Sequence, residues 1–321
     1  MSARRGNPRA ARVRSAGAVR RGARAGSTPA PAPAAPASAR AAAPAPAAEL
    51  TPVPAPRKRW TAPAIIELKR RGEPIAVLTA YDYPTALLAD AAGVEIVLVG
   101  DSLGTVVLGH ETTLPVTMED VLHHLRAVTR ARPAALVVGD MPFLSYQASV
   151  EDAVRNAGRF VQEGGADAVK LEGGERVADA VRRIVEIGIP VMGHLGLTPQ
   201  SVLAFGGYKV QARAEPEQER LLREAHRLEE CGCFSIVLEG IPARLGAAAS
   251  RELRIPTIGI GAGPGCDGQV LVSHDLLGFT QGRTPKFVRR YADLAGVVRD
   301  AFTRYVADVK ARRFPADEES Y

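Results

Sequence analysis

Three carboxylates and a lysine stand where short apolar runs end: Asp101 in VLVGDS, Asp140 in LVVGDM, and Lys170 with Glu172 in VKLEGG. If those runs are neighbouring strands, Asp101, Asp140 and Glu172 converge as hard oxygen ligands. Such ligands suit Mg2+, which prefers carboxylates, water and chelating substrate oxygens. Taken singly, each carboxylate reads equally well as a helix N-cap or a loop salt bridge. Lys170 and Glu172 are two residues apart, so on a strand they face the same side. There Lys170 either balances enolate charge beside a metal-bound substrate or forms a packing ion pair with Glu172. Ser102 follows Asp101 and shares its position at a strand end. His194, in VMGHLGL, reads either as a functional group or as a satisfied core histidine. Glu239 closes the run SIVLEG; as a partly buried carboxylate it suits a general base, the alternative being a structural carboxylate.

These residues need a scaffold that lines up consecutive strand ends. Eight nearly continuous apolar runs recur at 75–80, 95–101, 135–141, 168–174, 190–196, 234–240, 257–263 and 269–275. Such runs indicate strands of a parallel sheet covered on both faces. Between them, Thr117 with Asp120 and Ser149 with Asp152 mark helix starts, and Val150, Ala153, Val154, Ala157, Phe160 and Val161 follow a helical stripe. Gly93, Gly188 and Gly232 fall where a left-handed C-cap is expected. Eight strand–helix units in about 250 residues predict an α/β fold of the (β/α)8 TIM-barrel type, with chemistry at the C-terminal mouths of the strands. A doubly wound sheet is the alternative. Its dinucleotide-binding form needs a glycine-rich turn between strand and helix, whereas the one GxGxxG string, Gly263 to Gly268, carries Pro264 and leads into a strand, which argues against a nicotinamide cofactor. A helix at about 61–70 and another at about 286–312 are expected to close the barrel ends or touch neighbouring subunits. The long stretch after the fifth run, LGLTPQSVLAFGGYKVQ, reads as a lid or an ordered subunit contact. His123 and His124 lie on an outer helix and receive no role, and no Ser-His-Asp or Cys-His set stands out locally.

Charge separates a tail from this body. Residues 1–60 hold 12 of the 41 Lys and Arg and one of the 35 Asp and Glu, so 61–321 carries 29 basic and 34 acidic residues. A mildly acidic body argues against nucleic acid as partner. With 20 Ala and 10 Pro, residues 1–60 cannot bury enough apolar surface to order and read as a disordered extension or a targeting signal. No apolar stretch reaches the length of a membrane span. Cys231, Cys233 and Cys266 fit neither a disulfide framework nor a zinc set and read as small buried hydrophobes in a reducing compartment, with a cytoplasmic location expected.

Taken together, LTAYD (78–82), VGDSLG (99–104), TLPVTMEDVLHH (113–124), VGDMPFLSY (138–146), GHLGLTPQSV (193–202), GGYKVQAR (206–213), VLEGIP (237–242) and DGQVLVSHDLLG (267–278) closely resemble the ketopantoate hydroxymethyltransferase family, from about 61 to 315. The resemblance implies a barrel of the phosphoenolpyruvate and pyruvate-binding superfamily. It also implies Mg2+ dependence and hydroxymethyl transfer from 5,10-methylenetetrahydrofolate to 3-methyl-2-oxobutanoate, giving 2-dehydropantoate. By the same resemblance Asp101 and Asp140 fall on metal ligands, and Glu172 on a ligand directly or through water. Asp101, Ser102, Asp140, Lys170 and His194 fall on keto-acid contacts and Glu239 on the catalytic base, while a homodecamer is the implied assembly. A lyase or phosphonomutase of the isocitrate lyase type is a rival, although the KKCGH-like string of those enzymes is missing. A scaffold protein that has lost its chemistry is a second rival, opposed by the intact set of candidate residues.

Overall fold

A computed structural model of the chain describes residues 58–280, 282 and 284–321. Except for its last three positions, the Ala- and Pro-rich stretch 1–60 lies outside the described residues. Eight parallel strands close into a barrel in sequence order: β1 Ile75–Thr79, β2 Ile96–Val99, β3 Leu136–Asp140, β4 Ala168–Glu172, β5 Val191–Gly196, β6 Ser235–Glu239, β7 Thr257–Ile260 and β8 Gly268–Leu271. Each overlaps an expected run, and the doubly wound alternative is excluded because β8 pairs with β1.

Two apolar clusters divide the strand residues by parity, which decides where the polar side chains point. Ile96, Leu98, Leu136, Val138, Ala168, Met192 and Val237 belong to the barrel interior, whereas Val97, Val99, Val137, Val169, Leu171, Ile236 and Leu238 pack outward under the helices. Continuing the interior series two residues at a time reaches Asp140 on β3, Lys170 and Glu172 on β4, His194 on β5 and Glu239 on β6. One interior face therefore changes from hydrocarbon below to ionisable groups above.

The interior is closed from below by the helix Ala62–Arg71. Thr61 caps it, Gly72 ends it at φ 69°, and its Ala62, Ile65 and Leu68 join the interior cluster. Outer helices start as their caps predict. Thr117 and Asp120 form a reciprocal capping box before Met118–Arg130, and Ser149 accepts from the Asp152 N–H before Val150–Gln162. That second helix buries Ala153, Ala157 and Phe160, while Val161 falls outside the stripe and is exposed.

The C-terminal helix is shorter than expected, spanning Leu294–Lys310 with Asp293 as its cap. Residues 286–293 are not helical: the Tyr291 and Leu294 N–H groups donate to the carbonyls of Leu276 and Leu277, which ties this segment to the turn after β8. Nor does this helix close the barrel, since Val297, Phe302, Tyr305 and Val306 remain exposed. The long stretch after β5 holds two short turns of helix, Pro199–Ser201 and Val202–Phe205, before the outer helix Glu215–Glu230. Cys231 and Cys233 are buried free thiols and Cys266 is half-buried; burial pushes the Cys233 thiol far above its ordinary pKa. No helix among the described residues is long and apolar enough to cross a membrane.

Candidate active site

Strand register brings the ionisable groups together. Asp140 lies opposite Lys170 across β3 and β4, and Glu172 lies opposite His194 across β4 and β5. Asp101 sits just past β2, where its backbone N–H donates to Asp140 Oδ2 at 3.2 Å. Gly196, at the end of β5, has φ 92°, and a Cβ there would lie 2.3 Å from the Glu239 carbonyl oxygen. The close turn that seats Glu239 beside β5 thus requires glycine.

Lys170 is the hub. Its Nζ lies 2.7 Å from Asp140 Oδ1, 3.8 Å from Glu172 Oε1 and 3.1 Å from His194 Nδ1. An ammonium group only donates, so Nδ1 accepts and a neutral His194 carries its proton on Nε2, which lies 3.3 Å from Glu239 Oε2. Burial and the adjacent Lys170 charge lower the His194 pKa and keep the ring neutral. Asp140, Lys170, His194 and Glu239 form a continuous row. The first three are about as buried as core residues, while the Glu239 side chain keeps 15% of its surface open. The base candidate is therefore the member of the row that meets the solvent side.

Three acids, Asp101, Asp140 and Glu172, crowd negative charge around Lys170 in a buried space. Burial raises the Asp140 carboxyl well above its usual range despite the opposing Lys170 charge; burial and repulsion from Glu172 raise Asp101, and burial raises Glu172. Burial opposes the charged form of Lys170, yet Asp140, Glu172 and Asp101 together outweigh it and push its pKa up. Fully ionised, three carboxylates against one ammonium leave an excess of two negative charges. Glu172 Oε1 is also buried with no hydrogen bond, whereas Asp140 Oδ1 is held by Lys170. A divalent cation fits the charge and the Glu172 oxygen. Among the described residues, no three His, Cys, Asp or Glu side chains close into a cage by themselves; Mg2+ is commonly held by one or two carboxylates with substrate and water completing the shell.

Ser102 is placed at the same mouth, half-buried, its Oγ 2.8 Å from the Tyr81 hydroxyl. His124, on the outer helix Met118–Arg130, places its Nδ1 2.6 Å from the Tyr81 carbonyl oxygen. All the expected site residues therefore meet at one mouth. Two that sequence reasoning passed over join them: buried Gln200, whose Nε2 donates to Asp101 Oδ2 at 2.9 Å, and buried Tyr146, whose hydroxyl donates to Gln200 Oε1 at 2.7 Å. Both lie in quoted motifs, GHLGLTPQSV and VGDMPFLSY, but a neutral amide and a phenol among loop residues carry no local sign of a site.

Comparison with known proteins agrees in two ways. The sequence profile of ketopantoate hydroxymethyltransferases matches residues 59–317. A protein named 3-methyl-2-oxobutanoate hydroxymethyltransferase from Trichlorobacter lovleyi is 57% identical over 265 residues, covering 83% of this chain and 99% of the relative. A protein of the same name from Moorella thermoacetica is also 57% identical, over 83% and 98%. Among solved structures, phosphonopyruvate hydrolase with oxalate and Mg2+ superposes with a TM-score of 0.53 at 14% identity, covering 81% of this chain and 93% of that one. A 2,3-dimethylmalate lyase of the PEP mutase/isocitrate lyase superfamily gives 0.52 at 16%, over 81% and 91%. At those identities the two structures speak for the shared barrel alone.

Proposed function

The chain belongs to the ketopantoate hydroxymethyltransferase family, and from that premise we propose how its own residues carry the transfer of a hydroxymethyl group from 5,10-methylenetetrahydrofolate to 3-methyl-2-oxobutanoate, giving 2-dehydropantoate. The observation that supports this most is the row from Asp140 through Lys170 and His194 to Glu239, a buried anion-stabilising end joined to an accessible base.

Asp101 and Asp140 would hold Mg2+, with Glu172 as a third ligand directly or through water. When bound, the cation supplies Lewis-acid polarisation of the 2-oxo group and acidifies the hydrogen on the adjacent branched carbon. Lys170, fixed in its charged form by the acids around it, places a positive charge where negative charge grows on the oxygen. Ser102 offers a hydroxyl to the keto acid at the same mouth. Glu239 removes the proton from the branched carbon, with His194 Nε2 lying 3.3 Å from its Oε2. The carbon nucleophile bonds to the folate's methylene carbon as one of its two C–N bonds breaks, held close so that orientation replaces a bimolecular search. Water then displaces the second nitrogen to leave CH2OH, and the protons from the branched carbon and from water end on the two nitrogens of the departing tetrahydrofolate.

Exposed Val297, Phe302, Tyr305 and Val306 on one helix support a homo-oligomeric assembly. We expect 2-dehydropantoate to form from the two substrates with Mg2+ and not with a chelator. Formation undiminished by chelation would remove the metal from the scheme, and no formation under any divalent metal would remove the reaction.

A further inference from the structure

We propose that Gln200 is a positioning residue: its side-chain amide orients Asp101 for a divalent cation, beside the Glu172 carboxylate that its backbone N–H holds. The inference rests on the reading that these carboxylates hold the metal. Gln200 is buried at 6% exposure, and its Nε2 donates to Asp101 Oδ2 at 2.9 Å and to the Met141 carbonyl at 3.0 Å. Its Oε1 accepts from the Tyr146 hydroxyl at 2.7 Å and from Gln147 Nε2 at 3.0 Å, and its backbone N–H donates to Glu172 Oε2 at 3.0 Å.

The network itself settles which way the amide points. A carboxylate and a carbonyl can only accept, so the two obligate acceptors, Asp101 and Met141, must face the NH2 group. Both side-chain donors and the acceptor are then occupied, which leaves no capacity for substrate and assigns Gln200 a role through its neighbours.

The role follows from what each carboxylate already has. Asp140 Oδ2 is held by the Asp101 N–H, Asp101 Oδ2 by the Gln200 side chain, and Glu172 Oε2 by the Gln200 backbone. Asp140 Oδ1 is paired with Lys170, and Glu172 Oε1 stays without a hydrogen bond. Asp101 follows β2 and Glu172 ends β4, so the two carboxylates reach the mouth from either side of β3. One residue on the turn Pro199–Ser201 thus pins both. Partners that orient metal ligands typically carry about 10- to 100-fold in metal affinity. A residue that only tethered the loop would change melting temperature and leave the affinity of the folded protein alone.

The test is calorimetric titration of Mn2+ into the metal-free full chain, for wild type, Asp140→Asn and Gln200→Met. Saturable wild-type binding that Asp140→Asn abolishes and Gln200→Met weakens about 10- to 100-fold supports the proposal. The Mg2+ concentration for half-maximal activity should rise by the same factor while kcat at saturating Mg2+ stays within several-fold. Should Gln200→Met fail to fold, Gln200→Asn, which withdraws the amide by one methylene, carries the same expectation. Affinity within twofold of wild type, with Asp140→Asn still abolishing binding, overturns the role of Gln200 and spares the metal reading. No saturable binding by wild type overturns both.

Discussion

Removing the one cation from the buried acid cluster should make the metal-free protein's stability depend steeply on pH. Lys170→Met keeps the chain's length and apolar stem but leaves Asp140 and Glu172, each at most 3% exposed in its side chain, without the ammonium that lies 2.7 and 3.8 Å away. Breaking a buried pair from one side costs about 3–5 kcal/mol, because the remaining charge stays buried and unpaired. For a domain of 150–250 residues, each kcal/mol moves the melting temperature by about 2–4 °C, so a fall of about 6–20 °C is expected near pH 8 with chelator present. The carboxylates escape the penalty by protonation. Their folded-state pKa values are raised above the unfolded ones, so they stabilise the fold at low pH and that contribution is lost as pH rises through the folded values. The deficit of Lys170→Met should therefore shrink toward pH 5. Excess Mg2+ should restore more degrees to the variant than it adds to wild type, since it replaces the missing charge. A deficit of under about 1 kcal/mol, or one that does not change with pH, would refute the claim that Lys170 is charged and holds the acids together.

Two further expectations follow from the same structure. Wild type treated with chelator should lose stability as pH rises through the raised pKa values of Asp140, Asp101 and Glu172, and Mg2+ should flatten that slope; melting curves from pH 5 to 8 with and without Mg2+ read this directly. Ile65→Ala, at a fully buried position of the helix that floors the barrel, should cost about 2–5 kcal/mol through the cavity it leaves while kcat at permissive temperature stays near wild type. A large fall in kcat with unchanged stability would show that the floor and the mouth are coupled.

Much of this was legible because barrel strands obey two simple rules. Buried on both faces, they read as unbroken apolar runs, and their period of two puts Lys170 and Glu172 on one side before any coordinates are known. The caps at Thr117 and Ser149 were equally local, since a hydroxyl and an acid three residues apart satisfy one another within a single turn. What could not be read depended on contacts distant in sequence. The C-terminal helix begins at Leu294, where the Tyr291 N–H before it and the Leu294 N–H that opens it go to Leu276 and Leu277, partners no helical period encodes. Gln200 escaped notice for the same reason, as its importance lies wholly in Asp101, 99 residues away, and Glu172, 28 away.

The claim on which the whole scheme turns is that Glu239 takes the proton from the branched carbon of the keto acid. Exchange of that hydrogen for deuterium in D2O, followed by proton NMR with Mg2+ and no folate, isolates this step from hydroxymethyl transfer. Wild type should catalyse exchange, and Glu239→Gln, which keeps the side chain's size but cannot act as a base, should lower the rate about 10²- to 10⁴-fold with little change in KM. Exchange by Glu239→Gln at the wild-type rate would contradict the account and assign the proton to another group.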